Sequence, residues 1–268
     1  MVKTEEIVGE IPTDKEIYKN AIEMSWPSAL EAVLVQLIAS ADLIMVGGLG
    51  AAAISAVGIT TQPKFILLAI IFSLNVGVTA VVARRKGEND REEANKALRQ
   101  SIVISFIVSL ILSILGIMFA RPLILFAGAQ SDVVDAAVIY FKIICVGNFF
   151  TSLSLTINAA QRGVGNTKIS MKTNVAANLV NLVFNYLLIG GNFGFPALGV
   201  TGAAIATAIG NFIGFLLSLK SITISHEFLE IKKGQNWKPD KYTLASILNI
   251  SGSAFVEQVF MRIGFFTT

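Results

Sequence analysis

"NVAANLVNLVFNYLLIGG", residues 174–191, decides how the chain is read. It is apolar enough to cross a bilayer, yet it carries asparagines at 174, 178, 181 and 185. At ~100° per residue, steps of four, three and four keep all four within a stripe about 60° wide on one helix face. An amide in hydrocarbon has no water to bond and must find partners in protein. A greasy helix with a one-sided row of amides therefore lies against other helices.

The rest of the chain agrees. Of its 268 residues 54% are hydrophobic and only 15% charged, and the mean hydropathy is +0.69. A soluble domain carries roughly 25% charged residues. The apolar runs are about 20 residues long, which matches a hydrocarbon core of ~30 Å. The fold class is an all-α polytopic membrane protein, and its first partner is the lipid bilayer. The net charge of +3 is spread among loops, so it is no nucleic-acid signal. The single cysteine, Cys145, sits in an apolar run and reads as a core residue. No intrachain disulfide and no cysteine-based metal cluster can form. The polar start, "MVKTEEIVGEIPTDKE", lacks a signal-peptide core. His226, in a polar loop, is given no role.

Seven apolar segments follow, near 17–46, 52–82, 94–120, 132–160, 169–189, 199–224 and from Leu244 to Thr268. Thr13 and Glu16 have capping-box spacing before the first, and Asp90 is a plausible N-cap for the third. The N-terminal tail and the regions after segments two, four and six hold 17 of the 21 Lys and Arg. The opposite loops, "GGLGAAAIS", "ARPLILFAGAQ" and "GGNFGFPALG", hold only Arg121. The positive-inside rule then places the N-terminus in the cytoplasm.

Segment one, "SWPSALEAVLVQL", is echoed in segment seven, "SGSAFVEQVFMRI". At an offset of 226, Ser25 meets Ser251 and Glu31 meets Glu257. A six-helix unit has ended and a second has begun, a known transporter plan. The expected division is a membrane lobe over 1–225, a cytoplasmic inter-lobe linker over 226–243, and the first helix of a second lobe over 244–268. The remainder of that second lobe is an expected partner.

Three carboxylates fall within the spans: Glu31, Asp42 and Glu257. An ionised carboxylate at mid-bilayer costs at least ~2.5–3.5 kcal/mol on insertion scales, so such groups usually face a cavity and do a job. The bland alternative is a boundary error that leaves them at the interface. Glu31 and Asp42 are eleven residues apart, within ~20° of one face and ~16 Å along the axis. Both can look into one cavity. Pro27 removes a backbone donor and permits a bend. Gln36 and Met45, on the same segment, complete the substrate-cavity candidates. Amide oxygens of Asn181 and Asn185 can ligate a hard cation or bond a carboxylate in a proton-linked way. The stripe alone does not choose. Asn174 and Asn178 read as helix-to-helix glue. Thr207 and Asn211 are the polar points of segment six, whose small residues suit close packing. Lys64 can snorkel outward.

The ordered set "ADLIMVGGLGAAAISAVG", "VVARRKGENDREEANKA", "QRGVGNTKISM" and "NLVNLVFNYLLI…FGFPALGVTGAAIATAI" resembles the multidrug and toxic compound extrusion (MATE) family. "EQVFMRIG" looks like the start of that family's seventh helix. The resemblance covers most of this chain and about half of a family member. It implies a six-helix N-terminal lobe of a twelve-helix, two-lobe transporter. It also implies export of amphipathic organic cations by alternating access, coupled to H+ or Na+ and without another cofactor, across the plasma membrane. One branch builds a cation site from an Asp on the first helix, an Asn and an Asp four apart on the fifth, and a Thr on the sixth. Carried over, these are Asp42, Asn181, Asn185 and Thr207, with Asn185 standing where that branch has Asp. Pro27 matches that branch's bending proline, and Glu257 matches a seventh-helix Glu of another branch.

A lipid-linked-precursor flippase of the same superfamily is the runner-up. Such cavities are strongly cationic, whereas the intramembrane charges here are mostly acidic, with Lys64, Lys142 and Arg262 as exceptions. A non-transporting scaffold is the third reading. Nothing in the sequence suggests an enzyme, since no nucleophile–base pair, metal motif or phosphate loop is present.

Overall fold

A computed structural model describes residues 13–224, 227–232 and 234–266, and of residues 262–266 the backbone alone. Lys3, His226, Lys233, Thr268 and the Arg262 side chain lie outside the described residues. The helices are α1 Asp14–Gly47, α2 Ala51–Gly87, α3 Arg91–Met118, α4 Ala120–Phe126, α5 Val134–Gly163, α6 Thr167–Gly190, α7 Gly199–Thr223 and α8 Lys241–Phe266. All but α4 are long and apolar enough to cross a membrane. The loop reading of "ARPLILFAGAQ" is corrected: Ala120–Phe126 is helical. Ala120 and Ile124, one turn apart, bury against Val134, Ala137 and Phe141 of α5, and that packing stabilises the short turn. The last helix begins at Lys241, ahead of Leu244.

The start signals behave as their chemistry demands. Thr13 N donates to Glu16 Oε2 at 2.9 Å, and Glu16 N to Thr13 Oγ1 at 3.4 Å. Asp90 Oδ1 accepts from Glu93 N at 3.0 Å. At the far end of α6, Gly191 sits at φ 72°, in the left-handed region. A side chain there would be strained. This turn folds α7 back along α6, and Leu198 N closes it on Leu188 O at 2.8 Å.

Small polar residues hold the bundle where apolar packing gives no net drive in lipid. Ser101, Ser105, Ser109 and Ser113 form a buried row on α3. Ser105 Oγ donates to Ser152 O at 3.3 Å, and Ser113 Oγ to Cys145 O at 2.8 Å, both on α5. Thr156 on α5 adds a bond to Asn75 Oδ1 on α2 at 3.0 Å. Cys145 is buried in the core.

The connection between α7 and α8 is docked on the basic end of α3. Asn95 is central: its Nδ2 donates to Phe228 O at 3.0 Å, and its Oδ1 accepts from Glu230 N at 2.7 Å. Arg91 Nε donates to Phe228 O, and Gln100 Nε2 to Lys238 O. Asp240 then caps α8, and the Thr243 hydroxyl and backbone N–H hold its carboxyl below the usual range. Asn95→Ala takes away the acceptor of the buried Glu230 backbone N–H and one of the two donors to Phe228 O, at a cost of ~1–3 kcal/mol. A lowered unfolding midpoint in detergent is the expected result; an unchanged one would show the docking to be incidental.

α8 then packs on α2 and α3. It crosses α2 at Gly77, where a Cβ would collide with Ser251 Oγ and the Ile247 carbonyl. Thr243, Ile247, Ser251 and Ala254 are the buried residues of α8 among those described.

Candidate cation site

The site grows from the α6–α7 hairpin. A Cβ on Gly202 would overlap the Leu188 carbonyl, and one on Gly210 would stand 2.7 Å from Ala177 O and 2.9 Å from Asn181 Cβ. With no side chain between them the two backbones approach closely, as small residues permit in membranes. That closeness brings the Asn181 side-chain amide to 3.2 Å from Thr207 Oγ1. α1 packs along α6 and delivers Asp42, whose Oδ1 accepts from Asn185 Nδ2 at 2.8 Å. Asn181 and Asn185 are buried, at 6% and 2% exposure.

The neighbours of Asn181 fix the orientation of its amide. With its nitrogen toward Thr207 its oxygen would face the Asp42 carboxylate, acceptor against acceptor, so the amide takes the opposite orientation. Turned by 180° about its last bond, it donates to Asp42 Oδ2 at 2.7 Å and Oδ1 at 3.3 Å, and accepts from Thr207 Oγ1 at 3.2 Å. That orientation satisfies both Asp42 and Thr207. Asn185 Oδ1 is buried and lacks a hydrogen-bond partner in the protein. The group is thus all oxygen on its acceptor side, with one carboxylate, two amides and a hydroxyl. That donor set fits a hard monovalent cation or a proton. Among the described residues no Lys or Arg forms an ion pair with Asp42.

The other half of the stripe builds a second network. Asn174 Nδ2 donates to Glu31 Oε1. Asn158 Nδ2, on α5, donates to Asn174 Oδ1 at 3.3 Å. Asn158 Oδ1 in turn accepts from Thr173 Oγ1 and from Ser218 Oγ on α7, each at 3.2 Å. Asn174 is therefore interhelical glue in the literal sense. Asn178 instead donates to Asn174 O on its own helix at 2.8 Å. Asn158 escaped the sequence reading. An isolated Asn in "SLTINAAQ" was the available signal, but no periodic partner marks it.

The remaining candidates separate. The helix continues through the buried Pro27. Gln36 is exposed. Met45 packs on the small cluster of Val46, Ala53, Ile189 and Ala203, as does Tyr140. Glu257 is exposed on α8, which packs on α2 and α3 and stands apart from the Asp42 group. The outward snorkelling expected of Lys64 is corrected. It is half-buried on the helix face of Ile71, Asn75, Val78 and Val82, all buried, with its Nζ 5.2 Å from the Phe65 ring centroid. Lys142 is exposed.

The MatE family model matches residues 27–187, which hold Asp42, Asn181 and Asn185. The chain belongs to the MatE family. It is 28% identical over 238 residues to the "Probable multidrug resistance protein NorM" of Thermotoga maritima, covering 88% of this chain and 50% of that protein. It is 28% identical over 209 residues to the "FAD transporter" of Shewanella oneidensis, covering 78% and 46%. Among solved structures, a MOP superfamily transporter from Pyrococcus furiosus superposes with a TM-score of 0.85 at 25% identity, covering 92% of this chain and 54% of that one. The MatE chain thus spans about half the length of the curated relatives it matches. Its all-helical bundle corresponds to one lobe of the MATE fold, a multi-pass membrane protein of a transporter family.

Proposed function

We propose that this chain supplies the first lobe of a cation-coupled exporter of amphipathic organic compounds. The carrying observation is Asp42, the one ionisable member of a group that otherwise offers amides and a hydroxyl. In this reading the basic end faces the cytoplasm, and 1–225, 226–243 and 244–268 are lobe, linker and the beginning of a second lobe. Asp42 alternates between ionised and neutral states as the cavity faces alternate sides of the plasma membrane. A single acidic centre without a basic partner supports cationic cargo over a pyrophosphate-bearing lipid. Glu257 serves the second lobe.

Vesicles holding the full-length protein, loaded with a fluorescent organic cation, test this under separate Na+ and H+ gradients. Gradient-dependent efflux supports the reading; efflux indifferent to both gradients overturns it. Because one relative is named FAD transporter, a flavin dinucleotide belongs in the substrate panel.

Asn185 is the tuning position. Asn185→Asp adds a unit charge close to Asp42. The added attraction for Na+ is ~4 kcal/mol at an effective dielectric of 20, largely offset by repulsion between the carboxylates. A net gain of roughly tenfold in Na+ affinity follows. Binding of radioactive Na+ to wild type and variant checks it.

A further inference from the structure

α1 and α6 run parallel and keep one register along their seam. Glu31 meets Asn174 and Asp42 meets Asn185, and both pairs are 143 residues apart. Eleven residues of helix separate the two contacts, ~16 Å of rise. The α6 stripe therefore gives Glu31 and Asp42 each an amide of its own. Between them stands Asn178, whose nitrogen is spent on its own helix.

The two stations differ in surroundings. Asp42 is held by α6 beside Thr207 of α7, and no cation reaches it among the described residues. Glu31 lies nearer the basic end, at the head of the chain Asn174–Asn158–Ser218, with the half-buried Arg162 close enough to act on its charge. Lys19 and Glu23 lie further along α1, where they pair with each other at 4.0 Å. Lys168 and Lys172 are exposed on the first turns of α6.

We propose that Glu31 is a second station on the coupling-ion path, receiving the proton or Na+ that leaves Asp42 and releasing it at the basic end. The inference rests on the coupling role proposed for Asp42 and adds the route inward. A proton leaving the Asp42 carboxyl moves by water along the Asn178 step to the Glu31 carboxylate and then to bulk water. No other bond is made or broken. Glu31 is also continuous with the α5–α7 network, so its occupancy is felt where the helices of the lobe join.

The test uses the full-length protein in vesicles and in detergent. Glu31→Gln lowers gradient-driven efflux about tenfold or more, as expected for a broken intramembrane relay. Glu31→Asp, which keeps the charge, restores much of it. Equilibrium uptake of the coupling ion, read as bound radioactive Na+ or as protons released in weak buffer, is lost in Asp42→Asn and persists in Glu31→Gln. Wild-type efflux in Glu31→Gln, with Asp42→Asn inactive, overturns the Glu31 station alone. So does a loss in Glu31→Gln that Glu31→Asp cannot rescue and that comes with a lowered unfolding midpoint, since Glu31 is then a brace. Full ion-driven efflux in Asp42→Asn overturns the parent reading instead.

Discussion

Asp42→Asn in the full-length protein abolishes ion-driven export while the protein still folds. The substitution replaces a carboxylate by an amide of nearly the same shape. Asn185 Nδ2 keeps an acceptor at the position where Asp42 Oδ1 now stands, 2.8 Å away. The fold loses little, because an uncharged group is easier to hold in hydrocarbon than an ionised one. Asp42 is also only half-buried, so no cavity opens. The chemistry is lost completely, for an amide takes up neither a proton nor a full cation charge at neutral pH. Efflux driven by either gradient should fall to the level of empty vesicles, at least ~100-fold below wild type if one charge couples the cycle. Expression level and unfolding midpoint serve as the control. Undiminished efflux in a well-folded variant would remove Asp42 from the mechanism.

Gly210→Val has the opposite character: it should destroy function by destroying geometry. A Cβ at 210 would stand 2.7 Å from the Ala177 carbonyl and 2.9 Å from Asn181 Cβ. Neither neighbour is the far end of a flexible chain; one is backbone and the other is fixed to it. α6 and α7 must separate, and overpacking of this kind costs ~1–3 kcal/mol or more. The move carries Asn181 away from Thr207, only 3.2 Å distant at the start. Both the unfolding midpoint and ion binding should drop. Gly210→Ala gives a smaller loss of the same kind. A stable Gly210→Val variant with full ion binding would mean that the hairpin adapts without touching the site.

The sequence carried the parts of this structure that obey a period. The asparagines at 174, 178, 181 and 185 announced one polar face, and that face meets α1 at both carboxylates. Thr13 and Asp90 announced their caps because capping is local in sequence. Asp42, Asn181, Asn185 and Thr207 were placed together by resemblance; their spacing alone could not join α1 to α6 and α7. Asn158 and Asn95 were missed for a related reason. Each bonds across more than one element, and a lone asparagine does not say which neighbour it will find. α4 was missed because seven residues are too few to show helical periodicity against a loop. Lys64 was misread because amphipathic snorkelling is the usual fate of a membrane lysine, whereas its helix face is set by Ile71 and Val78.

The crossing at Gly77 makes α8 a cantilever. Its root is clamped: Thr243, Ile247, Ser251 and Ala254 are buried, and α3 grips the approach through Asn95 and Gln100. Past Ala254 the described side chains from Phe255 to Met261 are largely exposed. These seven residues make an arm of ~10 Å, and a tilt of about 10° at the root swings its end by ~2 Å. The same tilt moves the backbone of Glu257, three residues past Ala254, by roughly 1 Å.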